Sequence, residues 1–211
     1  MSERPLRLAL TKGRLEKYTI ELLERAGFDC RSLHDKGRKL LFSVPDAKLE
    51  IVLAKAADVI TYVEHGAADL GVAGKDTILE MDGRVVELLD LGFGKCRFAL
   101  AGKSGGNIYG GYAGKTIATK YPHVARRFFE GKGMDVDVVK IEGSVELAPI
   151  LGLADAIVDI VETGSTLKEN GLEVYDIIAP VSARLIANPV SMKLRRTVIE
   201  PLIHTIEAAL L

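Results

Sequence analysis

The stretch DAIVDIVETGSTLKENGL, Asp155–Leu172, decides how this chain is read. An apolar run carries two aspartates and ends in Glu162-Thr163-Gly164-Ser165-Thr166, and a short helix-like segment follows. Side chains alternate across a strand, so Asp155, Ile157, Asp159 and Val161 share one face. Burying an unpaired carboxylate there costs about 1–3 kcal/mol or more, so Asp159 requires a hydroxyl, a cation or water. It lies near the carboxyl end of the strand, where α/β proteins bind ligands. Thr163, Ser165 and Thr166 add hydroxyls, and Gly164 permits a tight turn. Backbone N–H groups of the next helix point to the same place, which makes a cup for an anion. The competing reading is a helix cap, because Thr166 and Glu169 fit a T-x-x-E capping box.

The same alternation extends outward over the whole chain. Leu6–Leu10 reads as a strand, followed by a helix from Arg14 with Leu15, Tyr18, Leu22 and Leu23 near helical spacing and Gly27 as a stop. Lys48–Lys55, Ala68–Gly74 and Val85–Leu91 read as strands, with a short helix over Ala57–Ala67. The pattern then restarts with strands at Cys96–Gly102, Thr116–Pro122, Val136–Ile141 and Asp155–Val161. A helix over His123–Gly133 and a helix-like Ser144–Ala154 lie between them. Glu173–Asn188 supplies one or two strands, and Ser191–Leu211 a final helix with an expected kink at Pro201. Gly102–Gly114 reads as a flexible hairpin-type loop.

Alternating strands and helices predict α/β sheets, largely parallel. Two such series joined near Gly92–Lys95 predict two lobes with a cleft between them. The last helix returns to the first lobe, giving residues 1–93 plus 179–211 for one lobe and 94–178 for the other.

With 211 residues, 48 % of them hydrophobic and 27 % charged, the chain has the balance of an ordinary globular protein. A net charge of −1 gives no whole-molecule attraction to nucleic acid. Residues 1–40 nevertheless hold ten Lys/Arg against six Asp/Glu, room for a local anion site. Cys30 and Cys96 lack metal-ligand spacing and read as reduced thiols of a cytoplasmic protein. The N-terminus has no long apolar segment, and no run approaches the roughly 18 apolar residues of a membrane span.

Three further stretches carry candidate chemistry. Thr11–Glu16 places Lys12 and Arg14 at a strand-to-helix junction, where cations oppose the helix dipole by about 0.3–1 kcal/mol each. An anion between them would remove that conflict; solvated charge at a turn is the alternative. Asp69 lies at the start of the strand Ala68–Gly74, whose glycines allow close approach of a planar ring, or simple sheet packing. Gly143-Ser144, with Glu142 and Glu146 nearby, makes a second cup or an N-cap. Two near-misses are set aside. Tyr109–Thr116 ends like a P-loop but has tyrosine where the first glycine must stand. His34, His65, His123 and His204 are scattered without metal spacing.

Together, Leu8–Phe28, Gly37–Phe42, Asp58–Asp76, Ile117–Phe129 and Asp159–Leu172 resemble ATP phosphoribosyltransferase, over nearly the whole chain and in the same order. The chain ends where the long form of that family continues into a histidine-binding regulatory domain, so it is similar to the short form. The resemblance implies two lobes like those of type II periplasmic binding proteins, with the active site in the inter-lobe cleft. It implies transfer of the 5-phosphoribosyl group of phosphoribosyl pyrophosphate to N1 of ATP, with Mg²⁺, as the first step of histidine biosynthesis. It also implies a hetero-oligomer with a regulatory subunit similar to histidyl-tRNA synthetase, and a dimer of the catalytic chain.

By the same resemblance, Thr163, Gly164, Ser165 and Thr166 hold the 5-phosphate, and Asp159 holds ribose hydroxyls. Glu162 faces the ribose, Mg²⁺ or water. Lys12, Arg14 and Arg38 take phosphate charge, and Asp69 lines the ATP side; Glu146 belongs to the substrate-binding set. Lys55 stands where the family often has arginine; it keeps the charge and loses the planar fork. Two other classes stay open on the residues alone. One is a two-lobed solute-binding or effector-sensing domain, which binds an anion without consuming it. The other is a phosphoribosyltransferase acting on a free base, distinguished by its product.

Overall fold

Leu6, Leu8 and Leu10 point to one face of a strand and are fully buried, which seeds the first of two sheets in the computed structural model describing residues 4–110 and 114–211. The strand is β1 (Leu6–Thr11), followed by α1 (Arg14–Arg25), the short α2 (Arg31–His34), β2 (Leu41–Val44) and β3 (Leu49–Ala54). Next come α3 (Ala56–Glu64), β4 (Leu70–Gly74), α4 (Lys75–Met81) and β5 (Val86–Asp90). These elements, joined by residues 182–211, form the first unit; residues 95–181 form the second.

The second unit contains β6 (Cys96–Lys103), β7 (Lys115–Thr119), α5 (Pro122–Gly131), β8 (Val136–Lys140) and α6 (Leu147–Ile150). It closes with β9 (Ala156–Val161), α7 (Ser165–Glu169) and β10 (Leu172–Val181). The chain then returns to the first unit with β11 (Ala183–Ala187), α8 (Pro189–Leu194) and α9 (Arg196–Ala208). That return lies at Ser182 rather than after residue 178, because β10 stays paired to β6 as far as Val181↔Cys96.

The first sheet has the order β2-β3-β1-β4-β11-β5 and the second β10-β6-β9-β7-β8. Both are mixed rather than largely parallel. Strands β3, β1 and β4 run parallel, as do β8, β7 and β9. Strands β2, β11 and β5 in one sheet, and β6 and β10 in the other, pair antiparallel. Periodicity marks a strand but carries no direction, so the antiparallel returns are invisible to it.

Alternation along β1 separates two core faces. Leu6, Leu8 and Leu10 join Ile20, Leu22 and Leu23 of α1 and Ile199, Leu202 and Ile206 of α9. Ala9 and Ala73 face Val59, Ile60 and Val63 of α3 on the other side. There the sheet must be thin: a Cβ on Gly71 would lie 2.8 Å from the Val63 side chain. Burying each large aliphatic side chain contributes about 1.5–3 kcal/mol.

Other expectations shift. Strand β7 ends at Thr119, because Pro122 opens α5, where a missing N–H does no harm. The helix-like Ser144–Ala154 contains only the one-turn α6. The C-terminal helix breaks at Arg195, which has φ −123° and ψ 23°, while α9 continues through Pro201. The glycine-rich connection is pinned as far as Gly110. Ile108 is buried, Gly105 N–H donates to Glu173, and Tyr109 Oη donates to Asp176 at 3.0 Å under Lys132. Residues 111–113, which belong to both that expected loop and the P-loop near-miss, lie outside the described residues. Among the described residues no helix is long and apolar enough to cross a membrane.

Candidate active site

Strand β9 carries Asp159 to the carboxyl end of the parallel set in the second unit. There Glu162–Gly164 turn the chain into α7. The turn needs glycine, since Gly164 has φ 86°, a region that costs other residues about 1–2 kcal/mol. Gly164 is also the N-cap, so Thr166 falls inside α7 and its capping box with Glu169 does not form. The competing reading of Thr166 as the helix cap is therefore not what the turn shows. Thr163 Oγ1 lies 3.0 Å from Ser165 Oγ and accepts the Ser165 N–H at 3.3 Å.

Asp159, Glu162, Thr163, Gly164 and Thr166 line one cavity of about 270 Å³, with Glu146 across from them in sequence. At about 30 Å³ per water this is room for roughly nine waters, the scale of a small solute. Hydroxyls, turn N–H groups and carboxylates lining one cavity suit an anionic group attached to a polyol.

The Asp159 carboxyl is pushed above the usual carboxylate range. Burial is the main cause and the Glu146 charge adds to it; the Ile160 N–H and the Lys120 charge oppose it. Lys120 escaped the sequence reading, which placed it inside a strand. Register finds it: Thr119 pairs with Val158, so Lys120 follows β7 as Asp159 follows Val158 in β9. Thr119 Oγ1 reinforces that register with a 2.6 Å bond to the Val158 carbonyl. Glu162 is exposed, and its carbonyl accepts Arg97 Nη1 at 3.3 Å.

In the first unit, Lys12 and Lys55 follow the carboxyl ends of the neighbouring parallel strands β1 and β3. Thr11 pairs with Ala54, and the Lys12 N–H donates to the Ala54 carbonyl at 2.9 Å. Arg14 begins α1 just beyond. Arg38 reaches the same edge through the antiparallel β2, since the Leu53 N–H donates to Leu40 at 2.9 Å. All four cations are exposed. Fold topology thus gathers them on one sheet edge.

Asp69 does not join them, which corrects its expected place on the ATP side. It precedes β4 and so stands at the opposite, amino end of the strand. It is fully buried and accepts from Arg4 Nη1 at 2.7 Å, Arg7 N–H at 2.9 Å, Ser191 Oγ at 2.8 Å and Arg195 Nη1 at 2.9 Å. Burial pushes its carboxyl up, but the bonds from Arg4, Arg7 and Ser191 outweigh that and hold it below the usual range. Its oxygens are engaged in holding the fold.

Known proteins match this chain along most of its length. The family described as HisG: ATP phosphoribosyltransferase matches residues 55–208. The ATP phosphoribosyltransferase of Clostridium kluyveri is 58 % identical over 205 residues, covering 97 % of this chain and 94 % of the relative. That of Listeria monocytogenes serotype 4a is 55 % identical over 205 residues, covering 97 % of this chain and 96 % of the relative. A solved chain of the ATP phosphoribosyl transferase (HisG:HisZ) complex from Thermotoga maritima matches with TM-score 0.84 and 36 % identity, over 97 % of both chains. With a family match over more than half its length and relatives this similar, the chain belongs to the ATP phosphoribosyltransferase family.

Proposed function

We propose that this chain transfers the 5-phosphoribosyl group of phosphoribosyl pyrophosphate to N1 of ATP, the first step of histidine biosynthesis. The observation that carries the reading is the cavity holding Asp159 with Thr163, Gly164 and Thr166, in a chain of this family. The hydroxyls and turn N–H groups seat the 5-phosphate, with Ser165 completing the set. Asp159 accepts the ribose hydroxyls, which relieves a carboxylate that burial disfavours. Charge-assisted hydrogen bonds of about 1.5–3 kcal/mol each suffice for anchoring.

Adenine N1 brings its own lone pair, so the site supplies no strong base. The N1–C1 bond forms as the C1–O bond breaks, the configuration at C1 inverts, and the bonding electrons leave with pyrophosphate. Positive charge from Lys12, Arg14, Arg38 and Lys55 stabilises the phosphates as their charge grows.

The family uses a divalent metal, and we assign Mg²⁺. Among the described residues no three His, Cys, Asp or Glu side chains gather to hold a metal. Mg²⁺ is commonly held by one or two carboxylates with substrate phosphates. Glu146 and Asp159, two like charges on one cavity, fit that use. When bound it would neutralise charge on the leaving pyrophosphate.

The related Thermotoga maritima chain was solved as a HisG:HisZ complex. We assign this chain a corresponding regulatory partner similar to histidyl-tRNA synthetase, a dimer of its own, and the cytoplasm as its place. The test mixes the purified chain with ATP, phosphoribosyl pyrophosphate and Mg²⁺, with and without that partner. Phosphoribosyl-ATP and pyrophosphate in equal amounts are expected. Neither product in either mixture overturns the reading.

A further inference from the structure

Glu16 is a buried carboxylate that the chemistry above leaves unused; only 6 % of it is exposed. One oxygen accepts the Gly13 N–H at 3.2 Å, and the other accepts the Lys36 ammonium. Gly13 lies between Lys12 and Arg14. Lys36 lies two residues before Arg38, in the stretch 35–40 that joins α2 to β2. A single carboxylate therefore ties together the two turns that carry three of the four cations.

Helix capping explains only half of this. A glutamate in the first turn of α1 suits the helix dipole and satisfies one free N–H. Gly13 has no side chain to return the bond, and a cap needs no lysine twenty residues away. The second oxygen reaches out of the helix to another segment. Lys36 is in turn stiffened locally, since its carbonyl accepts the Lys39 N–H at 3.0 Å and closes a turn around Arg38. Leu33, buried in α2 just before this stretch, anchors its start. Leu40, hydrogen-bonded to Leu53, anchors its end. Between these anchors the Glu16 contact joins the Arg38 turn to the Arg14 turn.

We propose that Glu16 and Lys36 form a positioning latch that sets Arg38 relative to Arg14 for the departing phosphates. The inference rests on the transferase reading above. Glu16 touches no substrate in this scheme and acts through the cations. Misplacing a charge by about 1 Å costs up to ~10²-fold in rate, so a loosened latch is expected to slow turnover about tenfold.

The test uses the chain with its regulatory partner and compares Glu16→Gln, Lys36→Met and Lys36→Arg. Glu16→Gln keeps an acceptor for the Gly13 N–H and removes only the ion pair. Turnover is expected to fall about tenfold in Glu16→Gln and Lys36→Met, with the ATP KM nearly unchanged, and to recover in Lys36→Arg. The double variant is expected to be no slower than either single one. In an Arg38→Ala background, Glu16→Gln is expected to cause no further loss. Hydrogen exchange over residues 35–40 is expected to speed up in Glu16→Gln and Lys36→Met. Unchanged exchange there overturns the latch, whether or not the wild type makes phosphoribosyl-ATP. A full additional loss in the Arg38→Ala background overturns the positioning role. Absence of product from the wild type refutes the transferase reading instead, and the exchange result still decides the latch.

Discussion

Asp69 and Arg195 meet at 2.9 Å although 126 residues separate them, and the carboxylate is fully buried. The same carboxylate takes Arg4 and Ser191, so it clasps the residues preceding β1 and those around α8 to the amino edge of β4. Removing one partner of a buried pair leaves the others uncompensated, at about 3–5 kcal/mol. Asp69→Asn is therefore expected to lower the unfolding free energy by several kcal/mol, read from denaturant midpoints. Because the folded carboxyl is held below its ordinary 3.8, this stabilisation is fully present above that value. It is lost as pH falls through the lower folded value. Wild type and variant should thus converge in strong acid and differ most near neutrality.

Asp159 has the opposite sign. Its folded carboxyl is raised, so the ionised form subtracts stability above the folded value and the penalty vanishes in acid below 3.8. Asp159→Asn is expected to raise the thermal midpoint at neutral pH while lowering kcat/KM for phosphoribosyl pyrophosphate. One lost charged hydrogen bond of about 1.5–3 kcal/mol corresponds to a tenfold to hundredfold loss. A variant that is both less stable and fully active would contradict both halves.

Thr166 is separable from the helix it was expected to cap. Since Gly164 is the N-cap, Thr166→Ala should leave the midpoint within about 0.5 kcal/mol of wild type. The KM for phosphoribosyl pyrophosphate should rise severalfold, with the ATP KM much less affected. Gly164→Ala should both lower the midpoint and raise that KM, because φ 86° strains any side chain and displaces the turn.

Arg14→Ala is expected to lower kcat more than it raises either KM, since the growing charge on pyrophosphate is a feature of the transition state. A change in thermal midpoint with normal kinetics would make Arg14 structural. Lys55→Arg should be tolerated, because it restores the fork without changing the charge.

Much of the fold was readable from local pattern. β1, β3, β4, β6 and β9 are apolar runs bounded by glycines or charges, and their type depends only on side-chain period and turn chemistry. The hydroxyl-bearing turn after β9 was readable for the same reason: Asp159 through Thr166 are adjacent, so the strand end, the turn and the hydroxyls come as one piece. The capping assignment failed by a small margin. A glycine in the left-handed region took the cap two residues earlier than the T-x-x-E spacing suggested. The C-terminal break moved from Pro201 to Arg195, whose backbone leaves the helical region as its side chain turns to Asp69.

By itself, the sequence determined the alternation of strands and helices, the hydroxyl-rich turn after β9, and the resemblance to this family. These depend on contacts within a few residues, where spacing and chemistry are visible together. Only the tertiary structure decided that both sheets are mixed, that Lys12, Arg14, Arg38 and Lys55 share one edge, and that Lys120 stands beside Asp159. It also put Asp69 at the strand end opposite those four cations. Those outcomes depend on strand order and register, and on partners more than a hundred residues away, which no local period records.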